Sequence, residues 1–168
     1  MRTNDIPAGA RIGIDSNVFI HHFCGRSRQC TRLLARVERG ELHAATTREV
    51  MHEVLHRLMV LEAVQAGAIK GRNPARALKA KPESVRALHR YFRDTKAILA
   101  IGIRLLPALD DAIDASQRFR TRYGLLTNDS ILAATLKDAG VDILVTADVD
   151  FSRIKELSVV MVDDLPVL

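Results

Sequence analysis

Arg11-Ile-Gly-Ile-Asp-Ser-Asn17 begins as a short apolar run and stops abruptly at an acid, a small hydroxyl residue and an amide. A four-residue apolar run bounded by turn formers reads as a buried strand followed by a turn. The same pattern returns near the other end: Asp142 to Thr146 is a strand, followed by Ala147, Asp148 and Asp150. Leu42 to Ala45, Ile103 to Leu106 and Ser158 to Val162 complete a set of short, mostly apolar strands. Helical segments separate them: Val18 to Phe23, Ser27 to Arg39 closed by Gly40, a long helix to about Ala66, and Asp110 to Tyr123 closed by Gly124. A further helix, capped by Thr127 or Asn128, ends before Gly140, and a short one starts from Phe151. Thr46-Thr-Arg-Glu49 has capping-box spacing, with Thr46 at the N-cap and Glu49 three residues on. Asn73-Pro74 starts a short helix, and Pro82 opens a longer one to about Ala100. Strands alternating with helices specify an α/β fold. Its mostly parallel central sheet is flanked by helices in three layers.

Length and composition narrow the functional class. The chain has 168 residues, 48% of them hydrophobic, which suits one domain with a proper core and argues against a disordered tail. There is no Trp, so aromatic stacking is a poor main binding device. Cys24 and Cys30 are too few for a disulfide scaffold and lack metal spacing, which fits a reducing cytoplasm. Met1 to Ala10 carries no apolar core of the signal-peptide kind, and no run approaches the length of a membrane span. The expectation is a soluble, cytoplasmic protein. A net charge of +5 leans towards a polyanionic partner.

In an open parallel sheet, chemistry collects at the carboxyl ends of the strands. Asp15 and Asp148 each follow a strand, and Asp129 lies in the first turn of a helix, where the dipole favours a carboxylate. On the helix after the second strand, Glu49, Glu53 and Arg57 share one arc, while Val50, Val54, Leu58 and Leu61 share the opposite flank. Glu53 can therefore face a cleft. Any one such acid is commonly just a cap or turn residue. Four converging on one crevice would repel one another, and a hard divalent cation, Mg²⁺ or Mn²⁺, would relieve that repulsion. Such ions suit phosphodiester hydrolysis.

Four segments together carry a family resemblance. Ile12-Gly-Ile-Asp-Ser-Asn-Val-Phe-Ile20 resembles the opening of a PIN domain, and Thr47 to Leu58, with Glu53, resembles that family's second acidic helix. Tyr123-Gly-Leu-Leu-Thr-Asn-Asp-Ser-Ile-Leu-Ala-Ala134 and Leu144-Val-Thr-Ala-Asp-Val-Asp-Phe151 resemble its third and closing motifs. The resemblance implies a metal-dependent ribonuclease, with Asp15 and Asp129 as the best-defined ligands and Glu53 and Asp148 as the other acidic positions. It also implies Asp150 as an auxiliary acid, and Asn17 and Thr146 as residues that position carboxylates. Small prokaryotic members are usually VapC-type toxins neutralised by an antitoxin, and members often form homodimers. A PIN-like RNA-binding or RNA-processing module without turnover is the alternative, against which the complete acidic set argues.

Two features lie outside those motifs. His52-Glu-Val-Leu-His56 is a literal H-E-x-x-H, which on a helix would offer two histidines to Zn²⁺ in a metalloprotease. The metzincin extension fails, with Met59 and Glu62 where Gly and His belong; Glu83 or His89 would have to supply a third ligand. His21 and His22 read as a helix flank. The second feature is basic. Leu58 to Lys96 holds nine Lys/Arg against three Asp/Glu, and a basic helical elaboration of the single domain is expected at about 67–102. Arg86, Arg90 and Arg93 recur at helical spacing, so they are expected on one face as an RNA phosphate-tracking rim.

Overall fold

A computed structural model describes residues 2–165. Five strands form one sheet: β1 (Arg11–Ile14), β2 (His43–Thr46), β3 (Arg104–Leu105), β4 (Ile143–Thr146) and β5 (Ser158–Met161). Their order is β3-β2-β1-β4-β5, and every neighbouring pair is parallel. The expected mostly parallel sheet is thus parallel throughout. Among the described residues eight α-helices flank it, beginning with α1 (Ser16–Phe23), α2 (Arg28–Glu38) and α3 (Arg48–Gln65). They continue with α4 (Pro74–Lys79), α5 (Pro82–Ala87), α6 (Arg90–Ala100), α7 (Ala112–Tyr123) and α8 (Thr127–Asp138). A 3₁₀ turn spans Val149–Arg153.

The order places a topological switch at β1. The chain leaves it towards β2 and β3 and returns on its other side as β4 and β5. At such a switch a crevice opens outside the carboxyl ends of the strands. Ile12, Ile14, Leu144 and Val145 are fully buried in the central strands, as a sheet covered on both faces requires.

Gly13 has a specific steric reason. A Cβ built on it would lie 2.4 Å from Leu136 Cδ1, and Leu136 is itself fully buried on α8. Only glycine lets α8 approach β1 this closely, and that approach carries the N-terminus of α8 to the crevice. Gly124, at φ 67°, closes α7 in the left-handed conformation and turns the chain straight into α8.

Three local expectations shift. The N-cap of α3 is Thr47, whose Oγ1 accepts from the Val50 N–H; Thr46 stays in β2, where its hydroxyl donates to the Ile14 carbonyl. The N-cap of α8 is Leu126, and both Thr127 and Asn128 are already helical. The helix expected from Pro82 to about Ala100 breaks at Leu88, which turns extended to bury its side chain. Glu62 stabilises the restart, its carboxylate accepting from the N–H groups of His89, Arg90 and Tyr91 at 3.0, 3.0 and 2.7 Å. Burial pushes this carboxyl up, but these three bonds and the nearby Arg90 outweigh it and hold the pKa below the usual value. Around the break, Ala63, Ile69, Leu78 and Leu88 form a second apolar cluster apart from the main core.

Gly13→Ala should lower stability by about 1–3 kcal/mol through overpacking against Leu136. Leu136→Ala should cost clearly less in the Gly13→Ala background than alone, because the two groups compete for one space. Denaturant unfolding of the four proteins measures this coupling, and strict additivity would show that the close approach carries no strain.

Candidate functional site

The parallel sheet brings the ends of β1 and β4 side by side, and the network there starts from Asp15. This residue is the N-cap of α1, only 5% exposed, and its N–H donates to the Val145 carbonyl at 3.1 Å. Its Oδ1 accepts from the Ser16 N–H at 2.6 Å. Its Oδ2 accepts from Asn17 Nδ2 at 2.6 Å and from the Thr146 hydroxyl at 2.7 Å. The Thr146 oxygen in turn accepts from Asn17 Nδ2 (3.1 Å) and the Asp148 N–H (2.9 Å). Asn17 Oδ1 accepts from the Ala147 N–H at 2.8 Å. Asn17 and Thr146 therefore fix the carboxylate and tie the two strand ends together. Asp148 caps the 3₁₀ turn, accepting from the Asp150 N–H at 2.9 Å.

Glu53 and Asp129 arrive from the two helices that face this edge. Glu53, Asp129 and Asp148 line one open cleft with Leu126, Thr127 and Asn128. Glu53 is held at 3.2 Å by Arg57, one turn along α3, as their shared arc requires. The Asp129 carboxylate accepts no hydrogen bond among the described residues. Asp150 is turned outward into an ion pair with Arg153, and stands at the edge of the group.

Burial, moderated by the bonds from Thr146 and Ser16 and reinforced by the charges of Glu53 and Asp148, pushes the Asp15 carboxyl up to about 6. Burial likewise lifts Asp129 to about 6, with Asp15, Asp148, Glu53 and Asp150 adding repulsion. The favourable helix dipole at Asp129 is outweighed. The four acids thus share one electrostatic neighbourhood in which Glu53 alone has a basic partner, Arg57, among the described residues.

Their donor atoms are all oxygen, the set that a hard divalent cation prefers. Among the described residues no three His, Cys, Asp or Glu side chains form a ready-made cage. Of the H-E-x-x-H pair, His52 and His56 are both exposed on α3, one turn apart.

The basic residues fall differently from expectation. Arg86 is on α5, whereas Arg90 and Arg93 are on α6, so the break at Leu88 separates what helical spacing would have placed on one face. Arg90 bonds to Gln65 and reaches towards Asp94; Arg86 and Arg93 are exposed. Arg120, on α7, is tied into the fold rather than free for a ligand. Its guanidinium bonds to the Ser116 and Ser130 hydroxyls at 2.8 and 3.0 Å and so clamps α7 to α8 beside Asp129.

Comparison with known proteins agrees with this architecture. Ribonuclease VapC2 of Methanocaldococcus jannaschii is 25% identical over 150 residues, which are 89% of this chain and 93% of that one. The fold is similar to the crystal structure of VapBC2 from Rickettsia felis bound to a DNA fragment from their promoter. There the TM-score is 0.58 at 15% identity, covering 91% of this chain and 99% of that one. It is also similar to a toxin-antitoxin complex from Klebsiella pneumoniae, with TM-score 0.55, 19% identity, and 89% and 96% coverage. The PIN domain family model matches residues 12–157, running through the central segment where no motif was legible. By that match and by the crevice its sheet builds, the chain belongs to the PIN domain family.

Proposed function

We infer that this protein is a divalent-metal-dependent ribonuclease that hydrolyses RNA phosphodiester bonds, acts in the cytoplasm, and serves as a VapC-type toxin. The observation that carries this reading is the cleft where Asp15, Glu53, Asp129 and Asp148 press their charges together. A carboxylate cluster held against its own repulsion is costly unless a cation joins it. Asp15 and Asp129 would hold Mg²⁺ or Mn²⁺ directly, with Asp148 completing the set. Bound there, the ion supplies Lewis-acid stabilisation of charge on the phosphate oxygens.

The remaining work falls to the chain's own residues. Asn17 and Thr146 hold the Asp15 carboxylate in one rotamer behind the cleft, so it would meet a cation without reorganisation. Glu53, anchored by Arg57, orients the attacking water as an acceptor. Attack on phosphorus breaks the bond to the leaving oxygen and adds one water across the linkage. Asp150, paired with Arg153, acts as a supporting acid through its field. The helical segment at about 67–102 is read as an elaboration of a single domain. In it, Arg86 on α5 and Arg90 and Arg93 on α6, all exposed, would meet RNA phosphate from separate helices rather than as one face.

An antitoxin is the expected protein partner. Two adjoining hollows between α1, α3 and α4 share His56, Val60 and Ala75, and their floor is apolar, with Met59 and Leu78. Arg26, Arg57 and Arg76 line the same hollows, so an apolar segment with acidic flanks is the complementary occupant. The homodimer belongs to the same reading.

Asp15→Asn and Asp129→Asn should each abolish Mg²⁺-dependent cleavage of RNA, at least a hundredfold by the usual scale of such losses, with the fold retained. Cleavage should vanish in EDTA, and His56→Ala should keep most of it. Wild-type turnover in either Asn variant would remove the catalytic assignment.

Val60→Asp should abolish co-purification with the product of a neighbouring antitoxin-type reading frame while leaving cleavage intact. Full retention of that complex would place the partner on another face.

A further inference from the structure

Leu126 breaks a local rule in a place where the break has a use. It is the N-cap residue of α8, a position where Ser, Thr, Asn or Asp would accept from the free N–H groups of the first turn. Leucine cannot, and the helix starts without a side-chain cap. Nor is the side chain spent on the core, since it is 75% exposed while the preceding Leu125 is buried. Thr127 and Asn128 follow immediately and could have capped, yet both sit within the helix, exposed to solvent. The fold therefore gives up a cap and leaves a large apolar group in water. Such departures without a gain in stability are expected where function imposes them.

The surroundings say what the group meets. Leu126 lines the same cleft as Glu53, Asp129 and Asp148, and none of that cleft's lining residues is aromatic or basic. Val149, 70% exposed, directly follows Asp148. If the acids and their cation take the scissile phosphate, the apolar groups that come next along the strand are ribose carbons and the face of a nucleobase. In a duplex those faces are stacked and covered, whereas in a single strand they are open. Asn128, whose amide has no partner among the described residues, stands beside Leu126 and offers both a donor and an acceptor to a base edge.

We propose that Leu126 is a substrate-contacting specificity residue. It packs against the unstacked base next to the scissile phosphate, and the helix cap is forgone to place it there. This rests on the nuclease reading and deepens it: the substrate is RNA splayed out at the cleavage point, gripped by an apolar contact rather than an aromatic stack.

The test sets affinity against stability. A fluorescein-labelled single-stranded RNA of mixed sequence is titrated in Ca²⁺, an oxygen-ligated cation used in place of Mg²⁺ to suppress turnover, against wild type, Leu126→Ser and Leu126→Met. Thermal melts are recorded in parallel. Leu126→Ser should bind on the order of tenfold more weakly, the scale set by losing a partly buried leucine contact. It should nonetheless melt at or above wild type, because serine restores the cap. Leu126→Met, apolar and of similar size, should bind like wild type. Equal binding by Leu126→Ser and wild type would overturn the proposal while leaving the nuclease reading intact. A Leu126→Ser melt clearly below wild type would overturn it in favour of a structural role. Loss of antitoxin binding with RNA affinity unchanged would assign the residue to that partner instead. Failure of wild type itself to bind the oligonucleotide would remove the nuclease reading along with it.

Discussion

The Asp15 carboxylate lies almost wholly out of water at the end of the central strand, and the rest of the structure is arranged around it. Three hydrogen bonds hold it, from the Ser16 N–H, the Asn17 amide and the Thr146 hydroxyl. A buried carboxylate with bonds but no cation partner is poorly compensated, and burial pushes its pKa upward. Only the parallel pairing of β1 with β4 brings Thr146 to Asp15, across 131 positions of sequence. The sheet order is thus a condition of the site. The bare Cα of Gly13 is another, because it lets α8 seat Asp129 against the same crevice.

Stability and chemistry pull in opposite directions along this edge. Asp129 gains nothing visible from its helix terminus, since burial and four neighbouring acids outweigh the dipole. Leu126 leaves α8 uncapped. Elsewhere Thr47, Ser27 and Asn73 cap their helices and Glu62 satisfies three backbone donors at once, while α5, α6 and α7 also start without a side-chain cap. At the cleft itself two of the acids, Asp15 and Asp148, keep the capping rule, and Leu126, at the start of the helix that carries Asp129, does not.

This contrast explains what was legible in the sequence. The strands were readable because a buried parallel strand is a short apolar run with turn formers after it, and Arg11–Ile14 and Ile143–Thr146 are that pattern with an acid attached. The acids were readable by position, since strand ends and helix starts meet at one edge of a parallel sheet. The caps of α3 and α8 were missed by one residue because Thr46 and Thr47 compete, and Leu126 is no cap by propensity. The break at Leu88 was hidden because its cause is distant: Glu62 reaches the new helix from α3, and nothing local marks that contact. The predicted face of Arg86, Arg90 and Arg93 failed with it.

The account rests on two carboxylates whose charge is unrelieved until a cation arrives, and their titration tests it most directly. With side-chain ¹³C labels on aspartate, NMR reads Asp15 and Asp129 as pH varies, without and with Mg²⁺. Without the ion both should titrate near 6, above their ordinary 3.8, so the folded protein binds protons more tightly than the unfolded chain. These two groups then make the ion-free fold less stable as pH rises from about 4 to about 6. Mg²⁺ should pull both titrations down, because it binds only the ionised forms. Midpoints near 4 that do not respond to Mg²⁺ would contradict the account.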